Sequence, residues 1–407
     1  WFAFVLWLGR KVQLTAASWS QLLRHWLLAL GFVLVALGAV AATHYGELAS
    51  FFRNYRDVKF LALPVSPLSA GISVAKQQIA LQFPHEFQLL GVDVHNLRPT
   101  AAPRTLVLVL GETARADHFQ LNGYPRATNP RLSQLPVVSF SAVSSCGTAT
   151  AHSVPCMFSG MGREAYDEAT AKNSSNVLDI LQSSQVAVSW LDNNSGCKGV
   201  CDRLPSQLLF LDDACRPAGC DDAILLKALR DVLATPANSD RLIVLHQLGS
   251  HGPEYHKRSS AAQKVFGPEC DNKELNHCEP AQIVNAYDNS LLATDALLAS
   301  VIDTLGQVPA SAMFYISDHG ESLGENGVYL HGMPYWMAPK AQTHVPLIWW
   351  MSQSFAAEQQ LDFSCLQRQA QQPLSHDHLF HSLPALFDRA SKVFKPELNL
   401  FAACRKG

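Results

Sequence analysis

The chain has 407 residues, 48% of them apolar, with 10 cysteines and a formal charge of −3 at pH 7. That length accommodates one large α/β domain and an appendage. The near-neutral balance lacks the basic footprint of a nucleic-acid-binding protein, so no nucleic-acid partner is expected.

The front of the chain is its most apolar part. Residues 26–42 (WLLALGFVLVALGAVAA) form an uncharged run near the lower limit of about 17 residues for a membrane-spanning helix. Residues 1–9 (WFAFVLWLG) read as the tail of an earlier span, and since the first residue is Trp, missing upstream sequence is expected. Arg10, Lys11 and Arg24 lie between the two runs. The positive-inside rule places that loop in the cytoplasm and everything after residue 44 on the far side. A buried core helix is the alternative for 26–42, and a signal peptide lacks a clear small-residue cleavage site. Residues 1–44 are thus expected to be a partial transmembrane region and 45–102 a connector. Pro64 and Pro67 break the connector, and 73–83 (SVAKQQIALQF) reads as a helix on the membrane surface or packed between domains.

From residue 103 to 407 strands and helices alternate. Strands are predicted at 105–110, 186–191, 242–246, 312–317 and 345–350, and helices at 176–184, 221–234, 281–305 and 376–388. That order predicts an α/β domain whose mostly parallel sheet is covered by helices on both faces. All ten cysteines follow residue 145, which fits an oxidising compartment such as the periplasm. Sequential pairing is the simplest proposal: Cys146–Cys156, Cys197–Cys201, Cys215–Cys220, Cys270–Cys278 and Cys365–Cys404.

Candidate chemistry gathers where strands end. Asp318 and His319 follow the apolar run 312–316, and Glu112 follows 105–110 in the same way. Open α/β sheets place their sites at that edge. An Asp, a His and a Glu with a fourth position left open make a plausible catalytic zinc site. The loop 144–156 (SSCGTATAHSVPC) offers hydroxyls that a metal would activate. Spacing alone does not choose between Ser145, Thr148, Thr150 and Ser153. Lys198, in the loop after 186–191, is suited to hold a phosphate. His246 and His251 follow another strand, and His331 follows the Asp318 loop.

Five strings, GETARADHFQLNGY, SSCGTATAHSVPCMFS, DNNSGCKGVCDR, HQLGSHGPEY and ISDHGESLGENGVYLHG, together resemble the lipid A phosphoethanolamine transferases of Gram-negative bacteria. That family includes the enzymes of polymyxin (colistin) resistance. The resemblance covers roughly residues 105 to 350 and implies an alkaline-phosphatase/sulfatase-like α/β fold. It implies Thr150 as the nucleophile and Glu112, Thr150, Asp318 and His319 as zinc ligands. It further implies that Asn194, Lys198 and Glu321 bind substrate. His251 and His331 would serve as proton-transfer groups or as the place for a second zinc. His152 is given no role. The implied reaction carries phosphoethanolamine from phosphatidylethanolamine to a phosphate of lipid A through a phosphothreonine, releasing diacylglycerol and lowering polymyxin binding. The implied setting is a monomer in the inner membrane with a periplasmic catalytic domain.

Two other readings stay open. One is an enzyme of the same fold, a transferase or phosphatase acting on a lipopolysaccharide core sugar or another periplasmic glycan. The other is a non-catalytic membrane-anchored scaffold. A sulfatase is not expected, because its CxPxR-type nucleophile string is absent.

Overall fold

A computed structural model describes residues 18–44, 48, 58, 65–82, 86–98, 102–211 and 221–406. The chain divides into two compact units, Trp1–Ser66 and Pro67–Gly407.

In the first unit a helix runs from Trp19 to Thr43. Ser18 and Gln21 form a capping box, each side chain accepting from the other's backbone N–H. Two of the helix's orphan donors are thereby satisfied, and the helix starts at residue 19 rather than 26. Arg24 therefore lies inside the helix, not in a loop as expected. The 23-residue stretch Trp19–Ala41 is long and apolar enough to cross a membrane. At 1.5 Å per residue it spans about 34 Å, against a hydrocarbon core of about 30 Å. The expected earlier span, 1–9, lies outside the described residues.

The connector helix is longer than 73–83, running from Val65 to Gln82. Pro67 sits in its first turn, where backbone N–H groups have no intrahelical acceptor, so it does not break the helix.

The second unit is built on eight strands: β1 Thr105–Gly111, β2 Val138–Ser144, β3 Ala187–Asp192, β4 Ser206–Leu208, β5 Arg241–His246, β6 Ser311–Ser317, β7 His344–Met351 and β8 Leu374–Ser375. Their order across the sheet is β8-β2-β7-β6-β1-β5-β3-β4. At the centre, β1 pairs in parallel with β5 and β6, with Val107 opposite both Ile243 and Met313. β7 runs antiparallel to its two neighbours, β2 and β6. Every residue of β1 and β6 is buried, which is why these strands read as continuous apolar runs.

Side chains alternate across β1. Leu106, Leu108 and Leu110 enter a core with Phe158, Trp190 and Trp349, while Val107 and Val109 enter a second core with Tyr287, Leu298 and Met313. The helix Pro280–Leu305 covers that second face, contributing Tyr287, Leu291 and Leu298. The architecture is the mostly parallel, helix-covered α/β sheet expected from the sequence.

The strand β2 was not predicted. Its sequence VSFSAVS intersperses serine, and its burial is only partial, so it gives a weaker apolar signal than the central strands. Disulfides join Cys146 to Cys156, Cys197 to Cys201, Cys270 to Cys278 and Cys365 to Cys404. Cys215 and Cys220 lie outside the described residues.

Candidate metal centre and nucleophile

Parallel pairing delivers the C-terminal ends of β1, β3, β5 and β6 to one edge, and the loops after them build the site. Gly111 lies opposite Ser317 in the ladder, so the next residues, Glu112 and Asp318, leave the sheet side by side. The Asp318 amide donates to Gly111 O at 3.0 Å. Glu112, Asp318 and His319 are buried and present ligand atoms within 4.8 Å of one another. His319 Nε2 lies 3.2 Å from Glu112 Oε1 and 3.5 Å from Asp318 Oδ2. Its Nδ1 faces Gly320 O at 2.9 Å. A proton donated there fixes the ring so that Nε2 is turned toward the two acids.

Backbone strain sits beside this group. Thr113 holds φ at +61°, a left-handed conformation unfavourable for a β-branched residue. Its amide donates to Asp318 Oδ1 at 3.2 Å, and its carbonyl accepts from Tyr287 Oη at 2.8 Å. The same hydroxyl accepts from Arg115 N at 2.9 Å. The Thr113 hydroxyl donates to Glu112 Oε1. The turn therefore fixes both carboxylates at once.

The loop 144–156 separates its hydroxyls by their partners. Ser145 Oγ donates to Gly147 O and Thr148 Oγ1 to Met333 O, both at 2.6 Å, and Ser153 Oγ donates to Asp318 O at 2.5 Å. Thr150 is the one that faces the ligand group. It opens the helix Thr150–Phe158, and its Oγ1 donates to Glu112 Oε2 at 2.8 Å and lies 3.3 Å from His319 Nε2. A helix N-terminus also favours negative charge at that oxygen. Gly147 permits the tight loop: a Cβ there would lie 2.7 Å from the His152 ring and 3.1 Å from Ser153 N.

Charge in the group is unbalanced. Burial and the Glu112 carboxylate push the Asp318 pKa up to about 6. Burial alone would raise Glu112 too, yet His319 holds it well below the usual carboxylate range. Burial pulls His319 down, but Asp318 and then Glu112 outweigh it and raise the ring to about 10. Asp318 Oδ2 is buried without a hydrogen-bond partner. Two acids, an imidazole nitrogen and a hydroxyl thus converge around an unsatisfied oxygen. That donor set suits a divalent cation.

Asn194 Nδ2 donates to Glu112 Oε2 at 2.8 Å. Its loop is braced by Asp192, which accepts from Asn194 N at 2.9 Å and lies 2.8 Å from His246 Nδ1. Glu321 is buried, 3.2 Å from His331 Nδ1. The His331 ring lies 4.3 Å from that of His319 and 5.6 Å from that of His251. Lys198 is not in bonding contact with this group: its Nζ donates to Ser195 O at 2.7 Å and Ser195 Oγ at 2.6 Å. His152 is exposed and packs edge-on against Tyr166. Sequence reasoning missed Thr113, Tyr287 and Asp192. Strained backbone leaves no composition signal, and Tyr287 lies inside a long helix remote from every motif.

Comparison with known proteins places these residues in context. A family profile described as "Sulfatase" matches residues 104–388, and one described as "Phosphoethanolamine transferase EptA/EptB" matches residues 2–79. The chain is 41% identical to phosphoethanolamine transferase EptA of Escherichia coli K12, over 90% of this chain and 68% of that protein. It is 41% identical to phosphatidylethanolamine transferase Mcr-1 of Escherichia coli, over 94% of this chain and 72% of that protein. Among solved structures it is similar to the integral membrane lipooligosaccharide phosphoethanolamine transferase A of Neisseria meningitidis. The two share 41% identity with a TM-score of 0.80, over 97% of this chain and 75% of that one.

Proposed function

The chain belongs to the phosphoethanolamine transferase family, and from that premise we propose that it moves phosphoethanolamine from phosphatidylethanolamine to a phosphate of lipid A through Thr150. The observation that carries this reading is the Thr150 hydroxyl, held 2.8 Å from Glu112 beside Asp318 and His319. Zinc is the ion proposed for that group, held by Glu112, Asp318, His319 and the Thr150 oxygen. When bound it would supply Lewis acidity that lowers the hydroxyl's pKa and offsets phosphoryl charge.

The chain's own residues then divide the work. Thr150 Oγ1 gives its proton to the Glu112 carboxylate it donates to and forms a bond to the donor phosphorus as the bond from phosphorus to the diacylglycerol oxygen breaks. Glu112 accepts from the Thr150 hydroxyl, Asn194 donates to the same Glu112 oxygen, and the start of the helix Thr150–Phe158 sets the threonine's position. The leaving oxygen takes a proton from His331 or His251. Glu321 orients the His331 ring, whereas burial lowers the pKa of His251, which favours His331 for the role. In the second half-reaction a lipid A phosphate oxygen bonds to the same phosphorus, and Thr150 regains its proton. Lys198 and Asn194 are the groups proposed for the phosphoryl oxygens. His251 and His331 are also the pair that a second zinc would use. The helix Trp19–Thr43 fits an inner-membrane enzyme with its catalytic domain in the periplasm.

Mass spectrometry of lipid A from cells with and without the full-length protein tests the acceptor. Added phosphoethanolamine on lipid A supports the reading. Unmodified lipid A with phosphoethanolamine on a core sugar would refute it.

A further inference from the structure

Ala151 and Pro155, on the helix that begins with Thr150, line a groove of about 930 Å³. That volume is near the upper end for small-molecule sites and exceeds what a phosphoethanolamine fragment fills. Leu90, Met161, Phe380 and Val393 give the groove an apolar lining. Five basic side chains also reach it, Lys172, Lys198, Arg203, Lys392 and Lys395, against two acids, Glu168 and Asp202. Lys172 is paired with Glu168 at 2.6 Å, and Arg203 with Asp179 at 2.6 Å. Lys392 and Lys395 are exposed and have no ion-pair contact among the described residues. The groove therefore joins the nucleophile's helix to an apolar surface and to two exposed lysines outside any ion pair, with the Asp93 carboxylate accepting from the Lys392 backbone N–H at 2.9 Å.

We propose that this groove is the acceptor site, and that it selects a lipid-linked sugar carrying two phosphate groups. One phosphate meets the phosphorylated Thr150, the second is held by Lys392 and Lys395, and the acylated sugar body lies on the apolar lining. The inference rests on transfer through Thr150. In the step it serves, an oxygen of the first phosphate bonds to phosphorus while the bond from phosphorus to Thr150 Oγ1 breaks, and the threonine takes back a proton. The donor fits this groove less well. Its headgroup carries one phosphate offset by an ammonium that the same lysines repel, whereas a bisphosphorylated lipid brings two phosphates, opposite in sign to the lysines. Separated lysines also explain how one phosphate would be recognised while another reacts.

The test uses the full chain in detergent with Lys392→Glu/Lys395→Glu and measures the two half-reactions separately. Diacylglycerol release reports the donor step and should keep the parent rate. The KM for a bisphosphorylated lipid A should rise at least about tenfold, since two attractive charges become repulsive. The KM for a monophosphorylated lipid A should change less than about twofold. Added salt should raise the parent's KM for the bisphosphorylated acceptor and leave the variant's nearly flat, because exposed charges are screened. If the double reversal lowers both half-reactions equally, Lys392→Gln/Lys395→Gln repeats the measurement without added negative charge. Unchanged acceptor kinetics, or equal losses for both acceptors, would overturn the proposal. A loss confined to diacylglycerol release would assign the groove to the donor and overturn it as well. Absence of a Thr150 adduct in the parent, with the lysine dependence intact, would sink the threonine reading and leave the groove standing.

Discussion

Replacing Tyr287 with Phe removes a single hydroxyl and should damage a site that this hydroxyl never touches. Tyr287 Oη donates to Thr113 O at 2.8 Å and accepts from Arg115 N at 2.9 Å. Tyr287→Phe leaves both partners without that bond in a region where Thr113 is fully buried. Each unsatisfied buried group costs about 1–3 kcal/mol, so the loss of stability should be about 2–6 kcal/mol. The left-handed Thr113 stores a further strain of about 1–2 kcal/mol, which the lock holds in place and its removal would let relax. Relaxation moves Glu112, whose two oxygens meet Thr113, Thr150 and Asn194. A misplacement of about 1 Å costs up to 10²-fold in rate, so diacylglycerol release should slow at least about tenfold. Urea unfolding and the initial rate of the donor step measure the two effects. A variant within about 0.5 kcal/mol of the parent and equally fast would refute the idea that this turn is held against strain.

Burial lowers the His376 pKa to about 3, against an ordinary value of 6.5, while its Nε2 lies 2.9 Å from Ser317 O. The folded protein resists a proton that the unfolded chain accepts. Its stability is therefore fully present above pH 6.5 and falls as pH drops toward 3, by up to about 1.4 kcal/mol per unit. Urea unfolding between pH 4 and 7 should show this slope, and His376→Gln should flatten it. Gly320→Ala should prevent folding, because a Cβ there would lie 2.0 Å from Ala341 O, a backbone atom. The expected cost exceeds about 3 kcal/mol, and normal soluble yield and melting would contradict it. Chelation should abolish transfer and zinc should restore it; better recovery with magnesium or manganese would refute the zinc assignment.

Much of the fold was legible because the central strands are buried on both faces. TLVLVL and AMFYIS need no alternation and announce themselves as apolar runs, and the acids that follow them fall at the edge where parallel strands end. Glu112, Asp318 and His319 could be read from that alone. The choice of Thr150 could not, since Ser145, Thr148 and Ser153 are equally hydroxylic in sequence. The structure separates them by direction, as three donate to carbonyls and Thr150 faces the acids. The strand β2 stayed hidden behind its serines, and the helix start at Trp19 depended on a cap rather than on hydropathy. The lysines of the groove come from segments far apart in the chain, so only the fold brings them together.

The central claim is that one threonine oxygen carries the transferred group between two lipids. Tandem mass spectrometry of the peptide spanning 144–156, after a brief incubation of the full-length protein with phosphatidylethanolamine alone, tests it most directly. The account predicts one phosphoethanolamine mass on Thr150, removed when lipid A is added and absent in Thr150→Ala. The same mass on Ser145, Thr148 or Ser153, or continued transfer by Thr150→Ala, would contradict it.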